Sequence, residues 1–404
     1  MLTPQQTWSS ISAHLTGLPV GALPLEEALG HVLAEAVYAD RDLPPADRSK
    51  MDGFALRAAD ARNAPIDLPV VGEIAAGSSA APFVAPATCA RIFTGANLPP
   101  GADTVVKMED TRQARAGEVR FTGPEKQGAH ILRQGENARQ GSEIVPMGVV
   151  LRAIHIGLCA AAGLSELRVR RKPRVAVITT GHELVAPGAA VGAHQERDAN
   201  GPMLRAAIVA GGFQVVSAHR VSDDREAIVE RVRQALAVAD AVVLSGGVSV
   251  GAYDFVPAAV TAVGARTLVH GVAMKPGKPF LFALAPEGQP IFGLPGNPLS
   301  AAIGLFEFVL PALRRLAGWP EPECRPLVCA RLGGPLASEP GSQRFVLATL
   351  AWASSGPEVT AVSSQSSADL AAGSRADGVL IVPADARGID AGAQVDFRPW
   401  RVWP

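Results

Sequence analysis

Cysteine is scarce in this sequence and never closely paired: Cys89, Cys159, Cys324 and Cys329 make no Cys-x-x-Cys spacing. Four cysteines in 404 residues are too few for a disulfide framework, and no His/Cys cluster has zinc-site spacing, so reduced thiols in a cytoplasm are expected. Aromatic residues are also few, at 5% against 48% hydrophobic overall, which predicts well-packed cores built from aliphatic side chains. A surplus of either charge is missing: 37 Lys and Arg against 38 Asp and Glu leave a formal net charge of −1. No broad positive field exists to attract nucleic acid or an anionic membrane, so any anion site is local.

Long apolar runs are absent too. The most apolar stretch, Leu299 to Leu313, carries Glu307 and Pro311 and is shorter than a bilayer span, so it reads as a core helix and no membrane role follows. The opening residues MLTPQQTWSS have neither a basic nor an apolar leader segment, and no secretory signal is expected. The sequence lacks GxGxxG and the Walker A loop, and none of its eight histidines makes HExxH or a triad pattern. A nucleophilic mechanism is not indicated.

The length predicts two to four domains. From Arg174 onward, strand-like and helix-like runs alternate. Val175 to Thr179, Gln214 to Val221, Ala241 to Leu244, Phe280 to Leu284 and Ile291 to Leu294 read as strands. Pro202 to Ala210, the run from Asp223-Asp224 through Leu236, Val256 to Val263 and Leu299 to Leu316 read as helices. The alternation implies an α/β layer sandwich with a mostly parallel sheet, whose ligands collect where strands open into loops. Residues 60–150 and 325–404 carry short Val/Ile runs between Gly, Pro and Ser turns, which predicts β-structure, and Pro320-Glu321-Pro322 reads as a linker. Leu25 to Tyr38 and Ile154 to Leu164 are expected to be helical and to pair as a stalk.

Several loops carry chemistry. In SGGVSVGAYDF, glycines 246, 247 and 251 allow φ > 0 and close approach to a ligand, and Ser245 and Ser249 offer hydroxyls to an oxyanion. A Gly-Gly after a strand is equally an ordinary tight turn. In MKPGKPF, prolines stiffen a turn that carries Lys275 and Lys278, an arrangement suited to a dianion, although solvated lysine turns are common. FGLPGNPLS leads into the long helix, where Asn297, Leu299 and Ser300 present N–H groups or simply begin a helix. Glu183, Asp223 and Asp254 each follow a strand and suit Mg²⁺ beside substrate phosphates, with Asp223 also a candidate helix cap. Asp52, Thr94 and Glu109 lie in Gly-punctuated turns of the N-terminal half.

In this order, and across nearly the whole chain, MDGFA, FTGA, TTGHEL, SGGVSVGAYDF, VAMKPGKPF and GLPGNPLSA resemble the molybdopterin molybdotransferases of molybdenum cofactor biosynthesis, whose eukaryotic counterpart is the gephyrin E domain. The resemblance implies a multidomain α/β plus β chain. A helical linker region at 1–45 with 146–172 and a β-rich domain at 46–145 would precede an α/β molybdopterin-binding domain at 173–319 and a C-terminal β-barrel-like domain at 325–404. It implies a homodimer with the active site between subunits, Mg²⁺ as cofactor, adenylylated molybdopterin and molybdate as substrates, release of AMP, and handover of the product to other cofactor-biosynthesis proteins or to molybdoenzymes. By the same resemblance, Ser245, Gly246, Gly247, Ser249 and Gly251 would cradle the phosphate end of the pterin nucleotide, and Glu183 and Asp254 would hold Mg²⁺. Lys275, Lys278, Arg344 and Ser367 would hold molybdate, with Pro279, Pro295, Asn297 and Pro298 in the same binding turns. Asp52, Thr94 and Asp223 match further functional positions.

The chain departs from the usual family pattern at Asn137, where GED becomes Gly135-Glu136-Asn137, and at His182, Ala252 and Gly271. An amide at 137 cannot act as an anionic ligand or base. Two further readings therefore stand beside the transferase: a non-catalytic molybdopterin-binding or delivery protein, and a generic Mg²⁺-dependent nucleotide hydrolase. Molybdate and tungstate are not distinguished.

Overall fold

Unbroken apolar runs in the strands, and apolar residues at helical period between them, build the central body. The computed structural model describes residues 1–249, 251 and 254–400. Its central sheet has the order Gln214–Val221, Arg174–Thr180, Ala241–Ser245, Pro290–Leu294, Leu281–Leu284 and Arg266–His270. The first four strands run parallel and the last two add antiparallel. The sheet is thus mostly parallel, as expected, with Arg266–His270 as an edge strand that sequence reading missed.

Side chains alternate between two cores. Val175, Val177, Ala241, Val243 and Phe292 face one, and Ala176, Ile178, Val242, Leu244 and Ile291 face the other. This alternation requires cover on both faces. Trp8 and Ile11 from Pro4–Ala13, Leu204 and Ile208 from Asn200–Ala210, and the run starting at Pro298 cover the first. Arg225–Leu236 and Val256–Ala262 cover the second. Arg225–Leu236 starts where the Asp224 carboxylate accepts the Ala227 N–H, and it buries Ile228, Val229, Val232 and Ala235. Asp224, not Asp223, is the cap, so Asp223 is left for another partner.

The expected helix from Leu299 to Leu316 forms as two α-helices, Pro298–Gly304 and Leu310–Leu316, joined by a π turn at Leu305–Val309. Phe308 in this turn packs 4.6 Å from Phe280, ring to ring. The turn also carries Glu307 into the interior, where it is 0% exposed. Arg325 and Arg398 meet its carboxylate, each at 2.8 Å, because a buried charge is tolerated only when paired.

Arg398 belongs to the C-terminal body. There Gln343–Ala353, Gly356–Ala361, Val328–Leu332, Gln394–Pro399 and Gly378–Val382 close into a five-stranded barrel through pairing of the last strand with the first. Pro320-Glu321-Pro322 is not a loose linker: Glu321–Cys324 forms a short helix, Cys324 is buried, and Arg325 enters the Glu307 ion network. Burial pushes the Cys324 thiol up to about 11.

The N-terminal half holds a second six-stranded sheet, with Gly53–Leu56 between Thr104–Lys107 and Cys89–Ile92. Ala153–Ala161 is helical as expected. Leu25 to Tyr38 is not. It begins with one 3-10 turn at Leu25–Glu27 and ends in the strand Val37–Tyr38. Gly30 takes φ +72 and Val32 and Leu33 form bridges to Val150 and Val169, so pairing with distant segments of the chain overrides local helix propensity. The pairs Val20–Pro24 with Glu166–Arg170 and Val37–Tyr38 with Glu143–Val145 form the connecting region instead.

Candidate active site

Strand direction decides which loops meet. Arg174–Thr180, Gln214–Val221, Ala241–Ser245 and Pro290–Leu294 are parallel, so the loops after them leave one edge of the sheet. Arg266–His270 is antiparallel to Leu281–Leu284, which is antiparallel to Pro290–Leu294. The turn from Gly271 to Phe280 therefore opens at the same edge. Glu183, Asp223, residues 245–249 with Asp254, Lys275 with Lys278, and the 295–298 turn all share it. Acids and amines predicted far apart in sequence are thus gathered on one rim.

Hydrogen bonds tie the rim together. The His182 N–H donates to Asp223 Oδ2 at 3.2 Å, linking the loops after two neighbouring strands. The Gly251 N–H donates to Asp254 Oδ2 at 2.7 Å. The Glu183 carbonyl accepts the Glu196 N–H at 2.8 Å, while its carboxylate has no hydrogen bond or ion pair among the described residues. Lys275 lies opposite Arg344 in a two-residue parallel pairing of Met274–Lys275 with the first barrel strand. Asn297 Nδ2 donates to Ser367 Oγ at 2.8 Å, and the Leu299 N–H donates to the Ser367 carbonyl at 3.1 Å. Lys275, Arg344, Asn297 and Ser367 therefore line the seam between sheet edge and barrel. Neither lysine has an acidic partner among the described residues, and both are exposed.

Three expectations change in detail. Ser245 is 1% exposed, and its hydroxyl donates to the Pro295 carbonyl at 2.9 Å while accepting from Asn200 Nδ2 at 2.9 Å. It braces the loop and has no hydroxyl to spare for a ligand. The Leu299 N–H, expected free at the helix start, is taken by Ser367. Asp52 and Thr94 do meet each other, with both the Thr94 N–H and hydroxyl donating to Asp52 Oδ1 at 2.8 and 2.7 Å. Those bonds, the N–H first, hold the Asp52 carboxyl below its usual range. This pair sits in turns beside the N-terminal sheet, however, and no hydrogen bond or ion pair joins it to the rim among the described residues.

Gly246 and Gly247 have φ of +98 and +60, a region that glycine enters freely. A Cβ on Gly246 would lie 2.3 Å from the Thr180 carbonyl, so only glycine fits. Ser249 is exposed and makes no bond among the described residues. Pro295 is buried, Pro298 is the first residue of its helix, and Pro279 is half-buried.

A chain from Staphylococcus aureus strain Mu50 named molybdopterin molybdenumtransferase is 34% identical over 390 residues, covering 95% of this chain and 91% of that one. The chain belongs to this family. Molybdopterin molybdenumtransferase relatives also include one from Nostoc sp. PCC 7120, 38% identical over 297 residues, 72% of this chain and 68% of that one. Residues 2–163 match the MoeA N-terminal region (domain I and II), 176–315 a probable molybdopterin binding domain, and 329–400 the MoeA C-terminal region (domain IV). A crystal structure of a molybdopterin biosynthesis MoeA protein from Pyrococcus horikoshii superposes with a TM-score of 0.84 at 25% identity, over 99% of this chain and all of that one.

Against the molybdopterin molybdenumtransferase pattern, the departures have local explanations in part. Gly271 takes φ +85, where a side chain would be strained. The Asn137 N–H donates to the Leu43 carbonyl at 2.9 Å, a backbone bond that an aspartate would make equally, so nothing in the structure explains the amide at 137. Nothing in the structure explains His182, and Ala252 lies outside the described residues. Sequence reading missed three rim residues: Thr180, Asp198 and Asn200. Asp198 is 8% exposed, accepts the Thr179 hydroxyl at 2.8 Å and caps the next helix through the Gly201 N–H. Asp-Ala-Asn has no spacing that signals chemistry; only its place directly before a predicted helix hinted at a role.

Proposed function

We propose that this protein inserts molybdate into adenylylated molybdopterin with release of AMP, and that it does so with Mg²⁺ as a homodimer. One observation carries the reading. The acids Glu183, Asp223 and Asp254 and the cations Lys275 and Lys278 lie on loops leaving one sheet edge, which the pairing of Lys275 with Arg344 joins to the barrel. Molybdate is a dianion, and a second anion, the substrate phosphoanhydride, has to come beside it. Lys275 and Lys278 offset the repulsion between them, while Arg344, braced by the Ala337 carbonyl and Ser338 hydroxyl, fixes the far side. The Gly246–Gly247 turn receives the phosphates, and Asn297 with Ser367 closes the seam.

Glu183 and Asp254 fit Mg²⁺: both are hard oxygen donors on loops after adjacent strands, and each has oxygen atoms with no partner among the described residues. One or two carboxylates plus substrate phosphates is how this ion is commonly held, consistent with the absence of a closed three-ligand cage among the described residues. When bound there it would neutralise charge on the phosphoryl oxygens as AMP departs. A cavity of about 790 Å³ between Asn200–Ala210 and the strand Gln214–Val221, lined by Thr179, Asp198, Arg205 and Arg220, is of the size that accommodates a bulky organic ligand.

The homodimer reading rests on two features. The Asp52–Thr94 pair has no hydrogen bond or ion pair to the rim among the described residues, and in the proposed dimer Asp52 and Thr94 of the partner subunit would face it. Ala153–Ala161 is strongly apolar yet buries only Cys159 and leaves Ile154 74% exposed, which suits a covered surface. The test is AMP release from adenylylated molybdopterin with and without molybdate. Turnover that requires molybdate supports the transferase, whereas tight pterin binding without turnover supports a delivery protein.

A further inference from the structure

The rim holds a hydroxyl that the described residues do not use. Thr180 is 4% exposed, and its Oγ1 has no hydrogen-bond partner among the described residues. Its neighbour Thr179 is the contrast: equally buried, but donating to Asp198 at 2.8 Å. Valine has nearly the shape of threonine, so an unpartnered buried hydroxyl at this position lowers stability with no structural return. Its location is specific. Ideal Cβ atoms built on Gly246 and Gly247 would lie 2.8 and 3.2 Å from Thr180 Oγ1, so the hydroxyl rests against the two left-handed glycines of the phosphate turn. A second orphan, Asn200 Oδ1, lies beyond Ser245, where the Asn200 amide nitrogen donates to Ser245 Oγ and the Gly296 carbonyl. An amide oxygen cannot donate to an anion, whereas a hydroxyl can.

We propose that Thr180 is a ligand-positioning residue, whose hydroxyl donates to a phosphate oxygen when the Gly246–Gly247 turn engages the nucleotide. The inference rests on the transferase reading only for what carries the phosphate. The turn is suited to the adjustment this needs, since two consecutive glycines leave its backbone free to shift.

The experiment compares wild type, Thr180→Ser and Thr180→Val in the full-length protein, by calorimetric titration with AMP and MgCl₂, by thermal unfolding, and by AMP release from adenylylated molybdopterin. Wild type and Thr180→Ser should bind AMP alike. Thr180→Val should bind about tenfold more weakly or worse, as expected for losing a hydrogen bond to a charged group, with a melting temperature equal to or above wild type. Unchanged affinity in Thr180→Val overturns the proposal, and so does weaker binding accompanied by a lower melting temperature, which would make the hydroxyl structural. If wild type binds AMP but releases none from the adenylylated pterin, the transferase reading fails while the Thr180 comparison still decides on AMP. If wild type binds no AMP, both fail.

Discussion

Lys275 and Arg344 stand opposite one another in a parallel pair with no carboxylate bonded to Lys275 among the described residues, so the cations at this seam are left for an anion from outside. Replacing Lys275 by Met should lower molybdate-dependent AMP release about 100-fold or more while leaving the fold intact, because the side chain is exposed; a circular dichroism melt and a single-turnover assay check both halves. Gly246 is constrained differently. Gly246→Ala drives a methyl to 2.3 Å from the Thr180 carbonyl at a φ of +98, and stability in urea should fall by about 1–3 kcal/mol. At this scale the sequence was legible wherever residue type implied an unusual backbone or charge, as with the glycines of the 245–251 loop and the lysines between prolines. It was not legible for Ser245, because one serine looks like another until Pro295 and Asn200 are seen to occupy its hydroxyl. Thr180 and Asn200 escaped for the same reason: an orphaned polar atom is defined by what surrounds it.

Among the elements, the π turn Leu305–Val309 does the joining. It turns Glu307 inward to Arg325 and Arg398, which connects the central helix to the barrel that supplies Arg344 and Ser367. Glu307→Ala leaves two largely buried guanidinium groups without their carboxylate and should cost about 3–5 kcal/mol in a denaturant titration. At the opposite edge of the sheet, Asp240 accepts both Nη groups of Arg171 at 2.6 and 2.8 Å and the Arg174 N–H at 2.7 Å. Burial pushes the Asp240 carboxyl up, but the Arg171 bonds and the Arg174 N–H outweigh it and hold the group below its usual range. A carboxyl lowered by folding stabilises above its unfolded value of about 3.9, and that contribution is lost as pH falls through the lowered folded value. Asp240→Asn should therefore melt below wild type at pH 7, with the gap closing as pH drops below about 4; melting curves across pH 3 to 7 check it. Strands such as Ala241–Ser245 were readable because burial on both faces demands an unbroken apolar run. Leu25 to Tyr38 misled because its helix-favouring residues pair with strands far along the chain, and periodicity carries no information on such partners.

For the molecule as a whole, six ordered motifs carry the resemblance to the family, yet the convergence of the rim and the closure of the barrel depend on strand order and direction, which local patterns do not encode. The same limit applies to assembly. If the apolar face of Ala153–Ala161 is covered by a second copy, Ile154→Asp should sediment as a monomer and lose AMP release, since Asp52 and Thr94 of the partner subunit would no longer reach the rim. The proposed function requires one rim to hold a doubly negative metal oxide and a pterin phosphate together for reaction. AMP release from adenylylated molybdopterin by the purified protein, measured against molybdate concentration, tests it most directly: release should rise with molybdate to saturation and vanish in Lys275→Met, and release that is absent, or indifferent to molybdate, would contradict it.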